Sequence, residues 1–287
     1  MQHNTTVTPT VPSTPEIKTR WDTFAKCFQE SFEPSANITA YSLISSLNIG
    51  KEQPKRILDL GCGAGGGSFL IGVTQHPESH LTCMDLSSEM IELAKETCQP
   101  ITKPPLNRNI DFMEGNAECL PFESDTFDVV LSNYCLHLVA DPDAVLSEVL
   151  RVLKKGGRAF WGSPEFTQMT IIQQSVAECK KEWGMTDIKP PTRSPFHLND
   201  KNQLVQRAQR AGFSKYLTWY QYQPFHTSTA EEFTKLQMGT PDIVNFLSNV
   251  SHEQVMQFKN KMESLADNFY SKGEIIGNEV LILLVTK

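Results

Sequence analysis

The chain predicts a doubly wound α/β fold, a mostly parallel sheet with helices on both faces, and three observations carry that expectation. Residues 57–68 read ILDLGCGAGGGS, an apolar strand running into a glycine turn. A second apolar strand, HLTCMD, ends on Asp85, one strand away from that turn. Strand-like and helix-like segments then alternate through IDFMEG, FDVVLSN and RAFWGS. Alternation of this kind builds a sheet that takes its ligand at the carboxyl ends of the strands.

Each element follows from local pattern. Trp21, Phe24, Phe28 and Phe32 recur at helical spacing and predict an amphipathic helix over 17–32, with a second helix over 35–47. Strand one is Arg56–Leu60, apolar on both sides as a central parallel strand should be. A helix over 66–75 stops before Pro77, and strand two closes at Asp85. Ser87 caps the helix SEMIELAKETC, and QPITKPPLNRN reads as a long polar loop. Asp141-Pro142 opens a helix with a cap and an N1 proline, and Gly156-Gly157 is expected to end it. Beyond strand five the rhythm breaks: residues 166–185 read as helix, KPPTRSP as loop, 199–211 as helix and 214–222 as strand six. Ser228 with Glu231, and Ser251 with Gln254, read as capping boxes that open two further helices. The last strand is GNEVLILLVT. Residues 1–16, rich in Thr and Pro, are expected to be a disordered leader and not a signal peptide.

Composition narrows the function classes. The 287 residues are 39% hydrophobic and carry a net charge of −7, which suits a soluble globular enzyme and argues against a nucleic-acid surface. No apolar run reaches membrane-spanning length, so no stable membrane insertion is expected. Seven cysteines form no C-x-x-C pair and several sit in strand-like text, which predicts reduced thiols in a cytoplasmic protein.

The turn itself bears on the ligand. Gly61, Gly63 and Gly65 let the backbone turn where a Cβ would clash, and Gly61, Gly63 and Gly66 also satisfy a bare G-x-G-x-x-G. That spacing alone fits a dinucleotide, but Asp59 stands where a dinucleotide strand usually keeps an apolar residue. A carboxylate there can face an ammonium group, which S-adenosylmethionine has and NAD lacks. The turn resembles motif I, D-x-G-x-G-x-G, of the class I S-adenosylmethionine-dependent methyltransferases. GNAECLPFESDTFDVV resembles the family's G-D-A-x-x-L-P-F-x-x-x-x-F-D segment, with Asn116 in place of the usual Asp. SNYCLHLVADPDAVLSEVLRVLKKGG resembles its strand four, following helix and R-V-L-K-x-G-G signature. The match covers roughly residues 56–162 in family order, and the branch it most resembles methylates ubiquinone and menaquinone precursors and other small molecules.

The resemblance implies a Rossmann-like seven-stranded sheet with the last strand antiparallel. Core segments 55–164, 199–225 and 275–287 would carry N-terminal lid helices over 17–50 and lid insertions at 165–198 and 226–274, all one domain over 17–287. It implies S-adenosyl-L-methionine as cofactor, a small-molecule acceptor and no metal. Asp59, Gly61, Cys62 and Gly63 would hold the amino-acid end, Asp85 the ribose with Leu86 and Met90 beside it, and Asn116, Ala117 and Glu118 the adenine. Ser132, Asn133 and His137 fall where relatives place the methyl group and acceptor. His137 stands either as a general base or as a packing residue. Trp161, Phe166, Trp183, Trp219, Tyr220, Tyr222 and Phe225 either line the acceptor pocket or, for most of them, form core between lid and sheet. SNYC is not the (N/D)-P-P-(Y/F) tetrad of adenine-N6 enzymes, and Ser132-Asn133 offers no acidic metal triad of the catechol type. Nothing after strand four matches the paired glutamates of arginine methyltransferases. An NAD-dependent oxidoreductase and a non-catalytic methyltransferase-like subunit are the alternatives.

Overall fold

Four of the five residues of β1 (Arg56–Leu60) are buried, because the strand lies between parallel neighbours and has helices on both faces. The computed structural model describes residues 10–47, 53, 55–165, 169–185, 193 and 197–287. Around β1 stand β2 (His80–Asp85), β3 (Asn109–Glu114), β4 (Phe127–Asn133), β5 (Leu153–Glu165), β6 (Lys215–Pro224) and β7 (Gly277–Thr286), in the order β3-β2-β1-β4-β5-β7-β6. Strands β1 to β5 run parallel, and β7 inserts antiparallel between β5 and β6. The strand order reverses direction between β1 and β4, and in such sheets the crevice at that switch point receives the ligand.

Helices α1 (Thr14–Ser31) and α2 (Glu33–Leu47) precede the sheet, and α3 (Gly66–Thr74), α4 (Ser88–Thr102) and α5 (Pro142–Val152) connect its parallel strands. Helix α1 starts at Thr14, within the stretch expected as leader, because Ser13 and Glu16 form a capping box; residues 1–9 lie outside the described residues. Two boundaries correct the sequence reading. Helix α4 continues through Pro100 to Thr102, since buried Ile101 packs on Gly72 of α3 and offsets the hydrogen bond a proline cannot donate. Helix α5 ends at Val152 rather than at Gly156-Gly157, because Leu153 already pairs with Phe127 and a register shift in β5 absorbs the glycines.

The later segments fold as a separate helical layer. Helix α6 (Met169–Glu182) precedes α7 (Lys201–Ala211), which backs the sheet with Leu204 and Ala208 and is closed by left-handed Gly212. Helices α8 (Ala230–Met238), α9 (Pro241–Leu247) and α10 (His252–Tyr270) lie between β6 and β7. The cap of α8 falls one residue later than expected: Thr229 receives the Glu232 N–H, and Glu232 returns a carboxylate to the Ser228 N–H. The box at Ser251 and Gln254 forms as read. Helix α9, opened by Pro241, was not expected. Ile171 and Cys179 of α6 pack with Phe233, Ile243, Phe258 and Met262, so the two insertions share one core. Phe166 and most of KPPTRSP lie outside the described residues.

Candidate functional site

A cavity of about 300 Å³ opens at the carboxyl ends of β1 to β4, roofed by α1 and flanked by α9. Its floor is the turn after β1. Gly61 has φ +74°, and a Cβ there would lie 2.6 Å from Cys135. Gly63 has φ +56°, and a Cβ there would press at 3.2 Å on Phe28 of α1. Glycine is required at both positions by conformation and by space.

Asp85, at the end of β2, fastens this turn. One carboxylate oxygen accepts the Gly63 N–H at 2.9 Å and the other accepts the Ser87 N–H at 2.9 Å. Burial pushes its carboxyl above the usual range, while those N–H groups and that of Leu86 pull the other way. The carboxylate has about four acceptor positions, so it keeps capacity for a ligand hydroxyl beside these N–H groups. At the end of β3, Asn116 accepts the Glu118 N–H at 2.9 Å in a tight turn, and Glu118 accepts the Ala140 and Asp141 N–H groups at 2.8 and 3.1 Å. Gly61, Gly63, Asp85, Leu86, Met90, Asn116, Ala117, Glu118, Asn133 and His137 all line the one cavity.

Asp59 and Cys62 do not line it. The Asp59 carboxyl is buried and receives the Ser68 hydroxyl of α3 at 2.6 Å. Burial, with Asp85 and Glu33 nearby, raises it to about 7 against the pull of Ser68. The side chain of Cys62 is buried in the core beneath α3. Both residues shape the turn from behind.

Asn133 donates to the Ala36 carbonyl of α2 at 3.0 Å. His137 is buried, and its Nδ1 has no hydrogen-bond partner among the described residues. Burial, then His197 and Arg193, pull the imidazole down to about 3. The ring is therefore neutral near pH 7 and a weak base, able to accept a hydrogen bond. Burial lifts the Cys135 thiol to about 12, so it is no thiolate.

Sequence reasoning missed one contributor to the turn. Glu33 opens α2, and its buried carboxylate accepts the Gly66 N–H at 3.1 Å, supplying the cap that Gly65 cannot give α3. Only tertiary contact could reveal it. The roof was legible: Trp21, Phe24, Phe28 and Phe32 form an aromatic cluster, and all four line the cavity. Of the aromatic residues near the insertions, Phe225 lines the cavity, Trp161 is core, and Trp183 stacks on Phe246 in the helical layer. Among the described residues, no group of three or more His, Cys, Asp or Glu side chains could hold a metal ion.

A glycine turn at the switch point, a carboxylate ending the adjacent strand and a polar turn ending the next define a nucleotide-binding, doubly wound α/β protein. Residues 58–161 match the family described as methyltransferase domain. The demethylmenaquinone methyltransferase of Lactococcus lactis subsp. lactis is 42% identical over 119 residues, 42% of this chain and 46% of that protein. A malonyl-[acyl-carrier protein] O-methyltransferase of a Paenibacillus species is 29% identical over 177 residues, 61% of each. The matched stretch thus spans about half the length of the first of these relatives. Among solved structures, the [4+2]-cyclase SpnF superposes with TM-score 0.61 at 16% identity, covering 97% of this chain and 98% of that one. The YcgJ protein of Bacillus subtilis gives TM-score 0.53 at 20% identity, covering 87% and 98%. At these identities the structural likeness establishes the seven-stranded fold alone.

Proposed function

We propose that the protein transfers a methyl group from S-adenosylmethionine to a small-molecule acceptor. The observation that carries this reading is that the glycine turn, Asp85 and the Asn116–Glu118 turn meet on one cavity wall, within the segment that matches the methyltransferase family. When bound, the cofactor supplies a methyl carbon already activated by a sulfonium, so the protein's main task is alignment, which can supply roughly 7–11 kcal/mol. In this reading Asp85 faces the ribose hydroxyls, the Asn116–Glu118 turn borders the adenine, and the Gly61–Gly63 backbone takes the amino-acid end. Asp59 acts at one remove, holding α3 to β1 through Ser68. Asn133 and His137 border the acceptor, where the neutral imidazole accepts a hydrogen bond and orients the acceptor.

A cavity of about 300 Å³ under an aromatic roof, together with the acidic balance of the chain, favours a small acceptor over a nucleic acid. Seven unpaired cysteines support a cytoplasmic location. Among the described residues, no helix is long and apolar enough to cross a membrane. The relatives named as quinone-pathway and acyl-carrier methyltransferases act on small or carried organic groups, which supports the same reading. The test is formation of S-adenosylhomocysteine from S-adenosylmethionine over a panel of aromatic and acyl acceptors. Turnover that is lost in Asp85→Ala supports the assignment. Tight cofactor binding without turnover across the panel favours the non-catalytic subunit, and binding of NAD instead favours the oxidoreductase.

A further inference from the structure

The charged side chains bordering the cavity are already engaged. Arg20 pairs with Asp242 at 3.1 Å, Asp85 holds the Gly63 and Ser87 amides, and Glu118 holds those of Ala140 and Asp141. One neutral polar cluster remains in the apolar wall, assembled from α2, the end of β4, β6 and β7. Gln223 of β6 is its centre, 3% exposed and lining the cavity, with Asn278 of β7 opposite it in register. Its Oε1 accepts the Thr39 hydroxyl at 2.6 Å and the Tyr134 hydroxyl at 2.5 Å.

These distances belong to O–H···O bonds and are short for N–H···O, so the oxygen of the amide faces the two hydroxyls. Two donors fill both lone pairs of that oxygen, and the NH₂ has no partner among the described residues. Tyr134 is held in place at a cost: its φ of +56° lies in the left-handed region, and its N–H donates to the Gly162 carbonyl at 2.9 Å. Thr39 is fully buried.

We propose that Gln223 reads the acceptor, donating a hydrogen bond from its NH₂ to a carbonyl or ether-like oxygen on an uncharged, largely apolar molecule. Thr39 and Tyr134 are positioning residues that hold the amide with its donors toward the cavity. Because the amide has donors to give and no acceptor left, it selects an oxygen acceptor over an ammonium group. With no unpaired cation among the described lining residues, phosphate and carboxylate headgroups are disfavoured. The inference rests on the methyltransferase reading only in taking this cavity as the acceptor's site.

The probes are 4-fluoroacetophenone and 1-ethyl-4-fluorobenzene, which share a fluorinated ring and differ by one carbonyl oxygen. Fluorine NMR titrations would be run on the wild type, Gln223→Met and Thr39→Val, each with and without S-adenosylhomocysteine. The wild type should bind the ketone about tenfold more tightly than the hydrocarbon. Gln223→Met should bring that ratio close to one while the hydrocarbon binds as before. Thr39→Val, which does not border the cavity, should lower the ratio a few-fold and serves if the methionine variant does not fold. A wild-type ratio near one, failure of either probe to bind, or a ratio unchanged in both variants overturns the proposal. Failure of S-adenosylhomocysteine to bind the wild type sinks the methyltransferase reading by itself, and the ketone preference in its absence still decides the role of Gln223.

Discussion

Asp59 on β1 and Asp85 at the end of the neighbouring β2 have different roles though they flank the same turn. Asp85 faces the cavity, and hydrogen bonds to a charged acceptor contribute roughly 1.5–3 kcal/mol each. Asp85→Ala should therefore weaken S-adenosylhomocysteine by about 10- to 100-fold in calorimetric titration; affinity within threefold of wild type would contradict the ribose assignment. Asp59 faces away, and its chemistry appears in stability. Its folded pKa of about 7 lies above its ordinary 3.8, so its contribution is complete below about 3.8 and is lost as pH rises to 7. His137 has the opposite sign: held at about 3 against 6.5, it contributes fully above 6.5 and loses that contribution as pH falls. His197, at about 4, acts in the same direction as His137. Between about pH 4 and 6.5 the aspartate and the histidines oppose each other. Urea unfolding at stepped pH should show Asp59→Asn gaining stability with pH more steeply than wild type, and His137→Asn less steeply. Identical slopes in all three proteins would refute the buried-group account.

Helix α1 is tied to the site through its N-terminal half. Lys18 donates to the Leu86 carbonyl at 3.2 Å and pairs with Glu114 at 3.0 Å, and Ser87 donates to Asp22 at 2.6 Å. Between them in sequence, Arg20 pairs with Asp242 at the start of α9. Part-exposed pairs of this kind contribute about 0.2–1 kcal/mol each, enough to hold a lid and weak enough to release it. Lys18→Ala should therefore speed dissociation of S-adenosylhomocysteine by about two- to fivefold, read by stopped-flow. Hydrogen exchange in α1 should slow when that ligand binds; exchange unchanged by ligand would remove α1 from the role of roof. Elements defined by local pattern were legible in the sequence: the β1 turn, the Asp141 cap of α5 and the Ser251 box of α10. Helix α9 was not, because its seven residues carry a single buried side chain, Ile243, too little for a periodic signal. The extension of α4 through Pro100 was hidden for a different reason, since burial of Ile101 overrode a local breaker.

Across the whole molecule, the doubly wound sheet could be read from the alternation of strands and helices, and the antiparallel last strand from the family resemblance. The residues that complete the site could not, because contacts between distant segments assemble them. Glu33 reaches Gly66, Tyr134 reaches Gln223, and Thr39 of α2 reaches the same amide on β6. No periodicity marks such pairs, and the sequence placed Asp59 at the ligand where packing turns it to Ser68. What binds the parts into one account is the cavity at the switch point, bounded by the turn, Asp85, the polar turn after β3 and the aromatic roof. The most direct test is calorimetric titration of the purified protein with S-adenosylhomocysteine, with NAD titrated in parallel. The account expects micromolar binding of the first and none of the second. Binding of NAD with none of S-adenosylhomocysteine would contradict it.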